Sequence, residues 1–112
     1  MRGLKIQGRW LSLILSGQKT MEVRGQYYKV RRLRIALGNS DSGNVEGYAT
    51  VQDVIRITYF DIPKYENQHL ASSFLIFRYK QRGFVYGYVL KDVQVERNPF
   101  PYPKSPSIWF NI

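Results

Sequence analysis

Lys19, Glu22 and Arg24 stand out in the run Gly17-Gln18-Lys19-Thr20-Met21-Glu22-Val23-Arg24. A helical apolar pattern ends at Gly17 and period two starts just after it, so a turn at glycine feeds a strand. On that strand Thr20, Glu22 and Arg24 point the same way, about 7 Å apart for each two residues. Lys19 sits at the bend and can swing towards the same region. A carboxylate held between two cations fixes an arginine fork for phosphate or a base edge. The competing reading is a surface ion pair on an exposed strand face, which contributes at most about 1 kcal/mol.

Three further groups carry chemistry. Glu66 and His69 stand three residues apart in a second helical stretch and can share a face. They read either as an acid–base or base-reading pair over a cleft or as an ordinary helix-surface histidine with its neighbour. Lys29, Arg31, Arg32 and Arg34 form a basic cluster beside Tyr27 and Tyr28. The pattern fits a phosphate-tracking stripe with a stacking platform, and equally a strand edge kept soluble by charge. Phe100, Tyr102 and Trp109 flank a proline-rich segment, where they stack on bases or cover the end of the fold.

The elements that must position these groups follow from periodicity. Leu4 to Ile6 reads as an opening strand. Trp10, Leu13 and Ile14, with Leu11 and Leu15, make the core face of a two-turn helix that Gly17 closes. Met21 to Arg24 alternates as a strand. So does Arg31 to Gly38, with Leu33, Ile35 and Leu37 on one side and Arg32, Arg34 and Ala36 on the other. Asn39 to Asn44 is a turn, and Val45 to Ile57 a long strand with Gly47 as a bulge or close approach. Asp61-Ile62-Pro63 starts a helix that runs to Ser72-Ser73. Phe74 to Tyr79 is ambiguous, and Gln81-Arg82-Gly83 turns the chain. Phe84 to Val95 is a long strand containing Gly87. Asn98 to Pro106 holds four prolines, which lack ladder donors, so it is not a central strand. Ile108 to Ile112 closes the chain. These elements make an α+β domain of five to six strands and two short helices. Strands broken by single glycines suit a bent sheet or small β-barrel, whose closure removes exposed edges.

With 112 residues, the expectation is one domain over 1–112. Nine Tyr, six Phe and two Trp favour strands and supply a core. Cysteine is absent, which excludes disulfides, thiol catalysis and cysteine zinc sites. One histidine and eight scattered acids point to no metal site and no cofactor. No apolar run reaches the roughly 18–20 residues of a membrane span, and the first residues lack a signal-peptide pattern, so no membrane partner and a cytoplasmic location are expected. The net charge of +9 favours a polyanion as partner.

The segment Ile14 to Arg24 resembles the signature of the ASCH family, Gly-x-Lys-x-x-Glu-x-Arg, at Gly17, Lys19, Glu22 and Arg24, with the family's short apolar helix before it. Gly43 to Val51 is similar to the family's following strand, glycine included at Gly47. Tyr86 to Leu90 and the proline-rich stretch before Ile108-Trp109 resemble its C-terminal half. The resemblance implies a PUA-like β-barrel with a cleft lined by Lys19, Glu22 and Arg24. It implies RNA or a nucleoside or nucleotide as ligand; the residue patterns above add Thr20, Tyr28, Arg32, Arg34 and His69 as further candidate contacts. Some small bacterial members are amidohydrolases of N4-acylated cytidines, using lysine, threonine and glutamate. Their lysine matches Lys19, Glu22 stands in place of their threonine, and Glu66 is the nearest candidate for their glutamate. Lys19 with Glu22 or Glu66 would then be the catalytic set of an amidohydrolase or a ribonuclease.

Overall fold

The computed structural model describes residues 1–71, 76 and 83–112. The end of the second helix at Ser72-Ser73, the ambiguous stretch from Phe74 to Tyr79 apart from Ile76, and the turn residues Gln81 and Arg82 lie outside them. Six strands form one sheet: β1 (Arg2–Ile6), β2 (Met21–Arg24), β3 (Arg34–Asn39), β4 (Asn44–Thr58), β5 (Phe84–Pro101) and β6 (Trp109–Asn111), in the order β2-β5-β4-β3-β1-β6. Helix α1 (Gly8–Leu15) links β1 to β2. A 3₁₀ turn (Ile62–Tyr65) runs into the single-turn helix α2 (Glu66–His69) after β4.

Local sequence explains most of these elements. In α1, Leu11 and Ile14 are buried at three-residue spacing, and Trp10 and Leu15 pack against the same core. Gly17 adopts φ +84°, a left-handed conformation that lets Lys19 N–H return to the Leu13 carbonyl at 3.0 Å. Pro63 sits in the first turn of the 3₁₀ segment, although Asp61 makes no side-chain cap.

The expectation of a closed barrel is corrected. The sheet ends on two free edges, β2 and β6, and among the described residues no ladder joins them. The sheet does curl: Leu4 and Ile6 of β1 share one buried cluster with Tyr88 and Leu90 of β5 and with Leu11 and Ile14 of α1. The seam stays open because side chains occupy it. The Lys5 carbonyl on β1 accepts from Arg24 Nη2 at 2.9 Å, where closure would require a backbone donor.

Two expected strand boundaries shift. The strand expected from Arg31 begins at Arg34, because Arg32 takes φ +68° in a turn whose N–H bonds the Val51 carbonyl at 2.7 Å. Leu33 is therefore exposed. Ala36, expected on a polar face, is buried against Val45 and Phe110, since β3 lies inside the sheet and is covered on both faces. The proline-bearing end of β5 does pair with β4, through Val45↔Phe100 and Asn44↔Pro101. Among the described residues it has no second neighbour there, because β2 covers only Tyr86 to Val89, so the prolines interrupt no described ladder on the far side.

Gly47 is required by packing, not by φ. A Cβ there would lie 2.5 Å from Leu15 Cδ2 and 2.7 Å from the Gln94 carbonyl oxygen, at a register shift between β4 and β5. Gly47→Ala is expected to destabilise the domain by about 1–3 kcal/mol, read as a lower urea midpoint. An unchanged midpoint would mean that α1 lifts from the sheet without cost.

Candidate functional site

The cleft lies over the open seam. It encloses about 550 Å³ and is lined by β1 and the start of α1 on one side, by the motif on the other, and by Ala71, Ile76 and the Pro106–Ile108 segment at its ends. This volume falls within the range of small-molecule sites. Among the described residues four cations face it, Lys5, Arg9, Lys19 and Arg24, against one carboxylate, Glu22.

Glu22 organises the floor. Its Oε2 accepts from Arg24 Nε at 3.0 Å and Nη2 at 2.8 Å, while Oε1 stands 3.5 Å from Lys19 Nζ. The Lys19, Glu22 and Arg24 side chains are only 2%, 9% and 16% exposed. A buried carboxylate needs such compensation, and removal of one partner from a buried pair typically costs about 3–5 kcal/mol. Arg24 reaches on to the Lys5 carbonyl, so one guanidinium ties β2 to β1 and shows its remaining edge to the cleft. Lys19 Nζ donates to the His69 carbonyl and lies 5.3 Å from the centre of the Trp10 ring. Burial holds the Lys19 ammonium below the ordinary lysine value. Glu22 opposes that shift and Arg24 adds to it.

The other residues expected at the site are dispersed. The Thr20 side chain is exposed and outside the lining, one residue before β2, with its backbone bonded to Gln68 and Leu90. The Glu66 side chain is half-exposed, with Oε2 3.6 Å from His69 Nε2, and it does not line the cleft. The His69 ring is fully buried: Nδ1 accepts from Ala71 N–H at 3.0 Å, which leaves Nε2 protonated towards the Ile62 carbonyl at 3.1 Å. It contributes its main chain to Lys19, not its imidazole to the cleft. Arg34 is committed to Thr50, to the Asp92 carbonyl and to Gln94, while Arg32 is exposed on a turn. Tyr28 packs edge-on against Trp109 at 5.2 Å and donates to Gln26.

Conversely, Lys5 and Arg9, which the sequence reading does not single out, reach the cleft, and Trp10 serves as a wall as well as core. The Arg9 guanidinium covers the Trp10 ring at 4.5 Å. The Arg9-Trp10 pair at the helix start is a visible cue, since a cation on an aromatic ring is a common surface for a planar ligand. Lys5 has no comparable cue.

Because Lys19 binds its proton more weakly when folded than when unfolded, the unfolded state holds more protons as pH climbs towards 10.5, and folding stability rises with pH in that window. Wild type is therefore expected to gain stability relative to Lys19→Met as pH is raised towards 10.5 in denaturant titrations. Parallel pH profiles would contradict the assignment.

Comparison with known proteins agrees with this architecture. Among curated proteins none matches the chain. The ASCH protein of Zymomonas mobilis has a solved structure that superposes with TM-score 0.79 at 19% identity, covering 89% of this chain and 72% of that one. Two single-residue variants of that protein superpose with TM-scores of 0.80 and 0.78, also at 19% identity, covering 89% of this chain and 72% and 74% of theirs. These likenesses establish a shared fold. The ASCH domain family model matches residues 4–96, most of the length, and the chain belongs to the ASCH domain family.

Proposed function

We propose that this domain binds single-stranded RNA or a nucleotide-like ligand in the seam cleft. The observation that carries the reading is the lining itself: among the described residues, four cations against one carboxylate, around an apolar wall formed by Trp10, Val23, Ile76 and Ile108. Phosphates meet Arg9 and Lys5, Arg24 presents a held fork, and a base lies against Trp10. Splayed single-stranded bases suit such a cleft better than a duplex, whose base edges are not accessible at this scale. The overall charge of +9 strengthens the attraction at a distance. Membership of a family commonly tied to RNA points the same way.

A second reading rests on Lys19, whose proton is weakened by burial beside Glu22. An amine of this kind can move a proton in hydrolysis of an N4-acylated cytidine, with water adding and the free acid and cytidine leaving. Glu22 stands in place of a threonine and Thr20 is exposed outside the lining, so neither offers a threonine hydroxyl beside Lys19, and in this reading water attacks directly.

The first reading predicts that a short labelled single-stranded RNA binds with a salt slope of about −2, given partial neutralisation of the cations by Glu22. Arg24→Gln should weaken binding at least about tenfold, and Arg9→Gln should reduce the slope by about 0.7. Fluorescence anisotropy in low and moderate salt reads both, and binding indifferent to salt and to both substitutions would overturn it. The second reading predicts release of cytidine from N4-acetylcytidine, abolished in Lys19→Met. Inertness of the wild type across several acyl chains would remove it.

A further inference from the structure

A row of cations and rings leaves the cleft across the sheet. Arg24 stands opposite Tyr86 in the β2–β5 ladder, and Tyr86 stands opposite Arg56 in the β5–β4 ladder. Directly opposed residues share one face, so Arg24, Tyr86 and Arg56 form a line about 10 Å long over two strand spacings. Phe84 lies two residues along β5 on the same face. Its ring meets Tyr86 edge-on at 5.6 Å, and the Arg56 guanidinium covers it at 4.8 Å. Tyr27 packs on the other side of Tyr86 at 5.4 Å with 54% of its surface exposed. The alternating positions Val85 and Gly87 turn to a separate core formed by Met21, Val23, Ile57 and Ile62, where Val85 is buried and a Cβ on Gly87 would strike Met21 and Ile57. The aromatic set is therefore held out of that core by the pleat.

We infer that the Tyr27–Tyr86–Phe84–Arg56 strip is a track for single-stranded RNA leaving the cleft past Arg24. The inference rests on the RNA reading of the cleft and adds its direction and footprint. Several features select this occupant. Arg24 belongs to both the cleft lining and the strip, so the two surfaces are continuous. Among the described residues Arg56 stacks on Phe84 with no ion pair, which suits phosphate, while Arg24 shares its charge with Glu22. One exposed ring, Tyr27, and two half-buried rings, Phe84 and Tyr86, interleave with cations and match stacked bases with a tracked backbone, because every base has a face to stack while phosphate needs only charge. A folded protein partner would need a broad apolar patch, and this strip is narrow and basic.

The test compares two probes, a 5′-phosphorylated uridine dinucleotide that fits the cleft and a uridine octanucleotide long enough to reach the strip. Tyr27 and Arg56 are both exposed, so Tyr27→Ala and Arg56→Gln should keep the fold, which a thermal melt verifies. The octanucleotide should bind wild type more tightly than the dinucleotide. Tyr27→Ala should weaken octanucleotide binding about tenfold, and Arg56→Gln should lessen its salt slope by about 0.7, while both variants bind the dinucleotide as wild type does. Octanucleotide affinity unchanged in both variants overturns the strip and leaves the cleft standing. Equal losses for the two probes also overturn it, because the strip would then be acting through the cleft. Failure of wild type to bind either probe overturns the strip and the cleft reading together.

Discussion

Glu22 is the charge around which the site is built. It is a carboxylate on a short edge strand, almost removed from water, and it remains there because Arg24 meets it with two donors and Lys19 approaches its other oxygen. Each of those cations also carries a backbone contact from elsewhere: Arg24 holds the Lys5 carbonyl on β1, and Lys19 holds the His69 carbonyl at the end of α2. Three charged side chains thus join β2 to β1 and to the segment after β4. These are contacts that the sheet ladder does not make.

The open seam follows from the same arrangement. A fully closed barrel would bury its edges in a ladder and leave side chains to fill the interior. Here, Arg24 bridges the gap between β2 and β1 by a side-chain contact, and a cleft of ligand size lies over it. Stability of the scaffold and shape of the site are coupled through this one ion cluster. The coupling also accounts for the weakened proton on Lys19, since the burial that positions it disfavours its charge.

Much of this was legible in the chain. The two-turn helix, the glycine that ends it and the alternation of Met21 to Arg24 are local patterns set by 3.6- and 2-residue periods, and the structure keeps them. The signature residues Lys19, Glu22 and Arg24 meet in one place because a turn and a strand bring near neighbours together without help from distant parts of the chain. Local pattern failed where a residue's fate depended on which strand lay beside it. Arg34 looked like part of a phosphate stripe, but β4 and β5 supply acceptors that take it up. His69 looked like a surface acid–base, but the 3₁₀ turn before it and Ala71 after it satisfy both ring nitrogens.

By itself the sequence determined the family signature, the strand-rich composition, the basic charge and the identity of the ion trio, because each is a property of short stretches or of the whole inventory. Only the tertiary structure decided that Lys5 and Arg9 join that trio, that Thr20 and Glu66 stay outside the cleft, and that the sheet remains open. Those outcomes turn on pairings across long separations, such as the parallel register of β1 with β3 and the contact of Arg24 with Lys5. No local period encodes them, because they are selected by how the whole apolar surface is buried and by which buried charges find partners.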